Sequence, residues 1–233
     1  RFSHKGAVYR IASTCYETVI ENIKNLRSEI ESYIELCPEF ATTLIPISQT
    51  IDAPSIVQDM INAAAAAGVG PMAAVAGAIA QHAARAAYET DGKEVIIENG
   101  GDIFLYSDEE VAVSLYAGSS PLAHRLAFRI KSGELPLAVC SSSGAMGHSK
   151  SFGTADLVTV TGKNAALADA VATSLCNLVQ SKTDIEKVLE KAESLAGING
   201  VLIIKGDKLG MVGQLPELVR QEDPSADAKV TRS

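Results

Sequence analysis

The sequence lacks three features that would place it in a common functional class. Its 20 Lys and Arg residues are dispersed and outnumbered by 28 Asp and Glu, giving a net charge of −8. Non-specific nucleic-acid binding needs grouped basic side chains, so this balance argues against it. No apolar run approaches the roughly 20 residues that span a bilayer, and no signal peptide is visible. We therefore expect a cytoplasmic protein that binds neither nucleic acid nor membranes.

Cysteine pairs and common nucleotide motifs are also missing. The four cysteines show no CxxC pair and no Cys–His spacing of the zinc type. We expect reduced, mostly structural thiols. Cys140 is the exception to consider, because it precedes a run of three serines and could lie at a strand end near a site, although a buried, inert thiol is favoured. The chain has no Walker A sequence, no GxGxxG after a strand and no GxSxG elbow, which argues against nucleotide kinases, Rossmann dehydrogenases and α/β-hydrolases.

The apolar residues that are present predict one large α+β domain. Hydrophobic residues make up 47% of the 233 residues, enough for a sizeable core. The order strand, helices, several strands, helices, strands predicts a mixed, mostly antiparallel sheet with packed helices. Alanine-rich helices at residues 72–88 and 165–179 each adjoin a glycine-bearing loop and predict an internal duplication. We assign residues 1–216 to the domain, with an acidic hairpin turn at 107–110, and residues 217–233 to a mobile polar tail.

The first candidate site lies in GVGPMAAVAGAIAQHA at residues 68–83 and ENGGDIF at residues 98–104. Three glycines and a proline within residues 68–77 predict a close backbone approach, because glycine has no Cβ. The following turn, formed by Asn99, Gly100, Gly101 and Asp102, offers amides beside a carboxylate, which suits a phosphorylated ligand or a metal ion. Alternatively, Asp102 closes an Asx-type turn.

The second candidate site lies in ALADAVATSL, where Asp169 and Thr173 are four residues apart and share one helix face. Magnesium favours one or two carboxylates, a few neutral oxygens and the phosphates of a substrate. The pair therefore suits Mg²⁺. Alternatively, Asp169 interacts with the dipole of its own helix, and Thr173 bonds the carbonyl of the preceding turn.

A long polar loop, SSSGAMGHSKSFGTAD at residues 141–156, provides a third candidate region. Loops of this length inside a domain are usually functional. Its serines and Gly144 can form an anion nest, with Lys150 adding charge. The unperturbed pKa of histidine lies near neutrality, so His148 suits a general base or a phosphate donor, although a lone histidine is more often a hydrogen-bonding loop residue.

Four segments together carry a resemblance to a known family: VGPMAAVAGAIA, VIIENGGDIF, CSSSGAMGHSKSFGTADLVTV and NAALADAVATSLCN. In this order, over roughly residues 8–212, they resemble an uncharacterised bacterial and archaeal branch of the ApbE-like superfamily. Its characterised members are FAD:protein FMN transferases, which cleave FAD with magnesium and attach FMN to a threonine of a target protein. The resemblance implies an ApbE-like fold with an internal duplication and a flavin-sized cleft.

The resemblance also implies roles for individual residues. Residues 100–102 look like the transferases' diglycine segment, and Asp169 and Thr173 look like the ligands of their Ala-Asp-x-x-x-Thr magnesium motif. Ser142, Ser143 and Gly144, followed by His148, are similar to their Ser-Gly loop and downstream histidine. The chain differs where GVGPMAAVAG and HSKSFG replace their lysine-glycine and His-x-x-Asp-Pro motifs.

Two functions follow from these observations. One is magnesium-dependent binding or transfer of a flavin- or dinucleotide-type phosphorylated ligand, with FAD or FMN as the ligand implied by the resemblance. The alternative is a non-catalytic ligand-binding or structural protein that has lost transferase activity. The small-residue helices would also tolerate the close interface of a homodimer.

Overall fold

The fold is built on an eight-stranded antiparallel sheet, covered by helices on one face and by a three-stranded sheet on the other. The computed structural model describes residues 1–48, 52–90, 94–144 and 152–221. The strands are β1 (Phe2–His4), β2 (Ala7–Ser13), β3 (Val95–Asn99), β4 (Asp102–Tyr106), β5 (Val111–Leu115), β6 (Leu126–Ile130), β7 (Leu137–Ser142), β8 (Leu157–Gly162), β9 (Ile198–Lys205), β10 (Lys208–Gly213) and β11 (Glu217–Arg220). The helices are α1 (Tyr16–Leu36), α2 (Glu39–Thr42), α3 (Ser55–Ala67), α4 (Val75–Thr90), preceded by a 3₁₀ turn at Pro71–Ala74, α5 (Ala165–Leu178) and α6 (Asp184–Glu193).

Side chains on the two faces of the central strands contribute to two hydrophobic cores. Phe104 and Cys140 face the helices, whereas their neighbours Leu105 and Val139 face the small sheet. Successive strand residues point to opposite faces, so the central strands are apolar on both sides. The predicted α+β class with a mostly antiparallel sheet is confirmed.

The large sheet consists of two halves with the same order of elements. In the first half, β1 and β2 are followed by helices and then by β3 and β4; in the second, β7 and β8 are followed by helices and then by β9 and β10. The halves join where β4 pairs with β7, with Phe104 opposite Ala138. Helix α4 packs on β3 and β4, and α5 packs on β7 and β8. This repeated order agrees with the predicted internal duplication.

Two segments differ from the sequence-based expectations. Residues 107–110 close no hairpin, because β4 pairs with β3 and β7 in the large sheet whereas β5 pairs with β6 in the small one. The single apolar face of β5 packs into the second core, so the chain crosses between sheets there. Glu217–Arg220, predicted to begin the tail, instead forms β11, with Leu218 opposite Phe128 of β6. Residues 222–233 lie outside the described part.

Within the described ranges, no single helix is long and apolar enough to cross a bilayer. Helix α3 and the segment Pro71–Thr90 reach the required length only together, and a bend of 105° separates them. Both contribute buried residues to the core under the large sheet.

Candidate functional site

Asp102 begins β4 directly after a tight glycine turn, and its side chain is 5% exposed. Gly100 and Gly101 have φ values of 64° and 105°, which glycine adopts without steric cost. The Asp102 carboxylate Oδ1 accepts a hydrogen bond from the Ser141 amide of β7 at 3.2 Å. Asp102 therefore bonds across the sheet to the other half of the fold, and the Asx-turn alternative is wrong.

Asp169 lies at the start of the second turn of α5, and its carboxylate reaches the first turn of α4. Its Oδ2 accepts a hydrogen bond from the Gly77 amide at 2.9 Å, and the nearby Ala76 amide also lowers the pKa of this carboxyl. Amides in the first turn of a helix have no partner within that helix. Asp169 thus caps a neighbouring helix, whereas the sequence alternative gave it a role in its own helix.

A close contact between α4 and α5 makes this cap possible. A Cβ added at Gly77 would lie 2.3 Å from the Ala165 carbonyl oxygen and 2.9 Å from the Asp169 Cβ. In return, Gln81 of α4 accepts a hydrogen bond from the Ala165 amide, at the start of α5. A Cβ at Gly70 would likewise lie 2.0 Å from the Thr43 carbonyl oxygen. The predicted close backbone approach within residues 68–77 is confirmed.

The two carboxyl groups form a buried pair without a cationic partner. Burial, followed by the charge of Asp169, raises the pKa of Asp102 well above its usual range. Burial raises the pKa of Asp169 to about 7, against the opposing effect of the Gly77 and Ala76 amides. Among the described residues, no salt bridge reaches either carboxylate. Two such groups cannot both ionise cheaply, so the pair favours an added proton or cation.

Three further side chains surround the pair. The Cys140 thiol donates to the Ala165 carbonyl at 3.5 Å, and burial together with the Asp102 and Asp169 carboxyls raises the pKa of this thiol. Asn99 donates its Nδ2 to the Ala76 carbonyl at 3.3 Å. Thr173, one turn after Asp169, is 7% exposed, and its hydroxyl makes no hydrogen bond within the described residues. The predicted bond from Thr173 to the preceding turn is therefore absent there.

Known proteins resemble this chain in sequence, and others resemble it in fold. A family model described as AbpE bacteria matches residues 10–209. The chain belongs to this AbpE family. A UPF0280 protein of Methanococcus aeolicus is 44% identical over 201 residues, covering 84% of this chain and 81% of the relative. One from Methanocaldococcus jannaschii is 42% identical over 205 residues, covering 86% and 82%.

The structural comparison agrees with the family assignment. A mutant of the flavin transferase ApbE from Vibrio cholerae covers 91% of this chain and 95% of its own, with a TM-score of 0.58 and 12% sequence identity. At this identity the match shows a shared fold only. The predicted resemblance to the ApbE-like superfamily is confirmed for family and fold.

In this AbpE family member, residues 141–144 offer fewer free amides for an anion nest than the sequence predicted. The Ser141 amide is bonded to Asp102, and the Gly144 amide donates to the Ala155 carbonyl at 2.9 Å. These amides are therefore not free for a phosphate, and Ser142 and Ser143 are half-buried. His148 lies outside the described residues, so its role stays a prediction.

The oxygen atoms of Asp102, Asp169 and Thr173 suit a hard cation better than a soft one. No group of three or more His, Cys, Asp or Glu in the described part of the chain could hold a metal ion. An ion at this site would need neutral oxygens, such as the unbonded Thr173 hydroxyl, beside the two carboxylates. Magnesium accepts this combination, because it retains water and binds substrate phosphates.

Proposed function

We propose that this protein binds a phosphorylated ligand of the flavin or dinucleotide type with Mg²⁺, and cleaves or transfers it at its phosphate group. The observation that supports this most is the buried, uncompensated pair of Asp102 and Asp169 beside the Thr173 hydroxyl. Asp169 and Thr173 would hold the ion, and residues 100–102 would line the pyrophosphate. The fold shared with the flavin transferase of Vibrio cholerae supports a flavin-type ligand.

The residues of the site have defined tasks in this proposal. The Gly77 amide fixes Asp169 through Oδ2, and Oδ1 would bind the ion. The Ser141 amide fixes Asp102 in the same way. Magnesium would offset the repulsion between these carboxylates and an anionic phosphate. Because all these donors belong to helix and strand ends, the site needs little rearrangement when the ligand binds.

A non-catalytic role has a specific observation in its favour. The Asp169 carboxylate and the Gln81 amide group each cap the opposite helix, so both polar groups already have a structural task. A protein that keeps the cleft for binding, or only for packing, would retain these bonds. Product formation separates this alternative from the enzyme.

The test compares Asp169→Asn and Thr173→Val with the wild type. Asparagine keeps an oxygen that can accept from Gly77 but loses the charge, and valine keeps the shape of threonine. We expect Mg²⁺-dependent FAD binding, measured by calorimetry, to weaken about tenfold or more in both variants. Asp207→Asn, on an exposed turn, should bind like the wild type.

Chromatography of the same FAD mixtures then decides between turnover and binding. Release of FMN and AMP by the wild type supports the enzyme, whereas a stable complex without products supports the binding protein. Unchanged affinity in both variants, or no Mg²⁺-dependent binding by the wild type, contradicts the proposal.

A further inference from the structure

Phe152 exposes its aromatic ring beside the C-terminal end of α5. Its side chain is 62% exposed, whereas the other four phenylalanines are buried or half-buried. It makes no ring-stacking or cation–π contact within the described part of the chain. An exposed aromatic surface of this kind is a common device for binding planar ligands.

The backbone of Phe152 is firmly held. Its amide donates to the Asn177 Oδ1 at 2.7 Å, and its carbonyl accepts from the Gln180 Nε2 at 3.0 Å. The next residue, Gly153, packs so tightly on α5 that a Cβ would lie 1.7 Å from the Cys176 carbonyl oxygen. The backbone position of Phe152 is therefore set by α5.

Helix α5 connects Phe152 with the carboxyl pair. Asp169, Thr173 and Asn177 are spaced by four residues and lie along one face. With a rise of 1.5 Å per residue, the eight residues from Asp169 to Asn177 span about 12 Å. Asn177 is the residue that holds the Phe152 amide. One helix face thus has the carboxylate at one end and the aromatic residue at the other.

Strand β7 makes a second connection between the same two places. The Ser141 amide bonds Asp102, and three residues later Gly144 lies against the other side of the loop. A Cβ at Gly144 would be 2.0 Å from the Gly153 carbonyl oxygen, next to Phe152. Helix α5 and strand β7 therefore both link the buried carboxyl groups to the segment that holds Phe152.

We propose that Phe152 stacks against the planar heteroaromatic ring of the ligand whose phosphate end binds at Asp102 and Asp169. This inference rests on the proposed function and adds the part of the ligand that lies beyond its phosphate. A sugar or sugar-alcohol arm between phosphate and ring suits the length of the shared helix face. Flavin and purine phosphates both have this chemistry, and stacking alone distinguishes them little.

The experiment measures the affinities of FMN, AMP and inorganic pyrophosphate, each with Mg²⁺, for the wild type, Phe152→Ala and Phe152→Trp. Because aromatic stacking is lost, we expect Phe152→Ala to bind its preferred ring-bearing phosphate roughly 5- to 150-fold more weakly. Pyrophosphate, which has no ring, should bind unchanged. Phe152→Trp should restore binding, and FMN fluorescence should be quenched in the wild type and in this variant. Met211→Ala, which truncates an exposed apolar residue on β10, should match the wild type.

Three outcomes separate this inference from the proposed function. Equal affinity of wild type and Phe152→Ala for both FMN and AMP overturns the stacking role. An equal loss of pyrophosphate binding overturns it too, because the substitution would then have disturbed the phosphate end. If the wild type binds no pyrophosphate with Mg²⁺, the proposed function fails. Riboflavin, which has the ring but no phosphate, then still reports through its quenching whether Phe152 stacks.

Discussion

Each half of the large sheet contains a two-residue hairpin turn at the corresponding place, and the aspartates at these turns lie in opposite electrostatic environments. The β3–β4 turn has Gly100 at φ 64°, and the β9–β10 turn has Gly206 at φ 62°. In the first turn, Asp102 is buried, and burial raises its pKa. In the second, the Asp207 side chain is 73% exposed and bonds Lys182 at 2.6 Å, and this bond lowers its pKa. Asp102 directly follows its turn, whereas Asp207 is the second residue of its turn, so the two hairpins carry an uncompensated buried carboxyl group and a solvated ion pair at neighbouring positions.

The difference between the turns comes from the helices that pack on them. The first turn lies beneath the start of α4, where Asn99 bonds the Ala76 carbonyl and Asp169 caps the Gly77 amide. At the second turn, Gly206 lies against the flexible side chain of Lys182, its amide donates to the Asp156 carboxylate, and its carbonyl accepts from the Ser120 hydroxyl. A buried carboxyl pair without a cation lowers stability, so we infer that the first half keeps it for ligand binding.

Gly77→Ala should have the largest effect, because it disturbs the contact that creates this asymmetry. Its Cβ would lie 2.3 Å from the Ala165 carbonyl oxygen, so α4 and α5 must separate. Overpacking against backbone costs at the upper end of the usual range, and we expect the free energy of unfolding to fall by about 3 kcal/mol. Urea unfolding measures this change, and Mg²⁺ titration should show weaker binding because Asp169 moves.

The matched control is Gly133→Ala. A Cβ there would meet no heavy atom within 4 Å, so its unfolding curve should stay close to that of the wild type. Similar destabilisation in both glycine variants would contradict the prediction, because the loss of stability would then not come from the close contact between α4 and α5.

The pH dependence of stability should show the next largest effect. The folded-state pKa of Asp169 is about 7 and that of Asp102 is also raised, whereas unfolded aspartates titrate near 3.9. The folded protein therefore binds more protons, and this stabilising contribution, present below pH 4, is lost as pH rises through about 7. In EDTA, we expect the free energy of unfolding to fall by on the order of 2 kcal/mol between pH 5 and pH 8.

Urea unfolding of the wild type and of Asp102→Asn/Asp169→Asn at both pH values isolates this contribution. The double variant cannot ionise at the site, so its stability should vary less with pH. Asp207→Asn should not flatten the curve in this way, because the pKa of Asp207 is lowered in the folded state. Parallel curves for the wild type and the double variant would show that the carboxyl pair does not titrate as the structure indicates.

Local patterns predicted the elements of this site, and long-range packing decided how they combine. The spacing of Asp169 and Thr173 predicted a shared helix face, and the glycines of residues 68–77 predicted a close approach. The pairing of Asp102 with Asp169 was not foreseeable, because an aspartate after two glycines satisfies an Asx turn equally well. The short strand β11 was missed because its four residues gain their structure only by pairing with β6.

Asp207→Ala should have the smallest effect and sharpens the comparison of the two turns. Exposed ion pairs contribute little, since water screens both charges. We expect its thermal midpoint and its Mg²⁺-dependent FAD affinity to match the wild type, whereas Asp102→Ala should lose the ligand in the same titration. Loss of ligand binding in Asp207→Ala would place a second site in the other half. The burial of Asp102 would then not be what distinguishes the first turn, and duplication would have preserved a function as well as a topology.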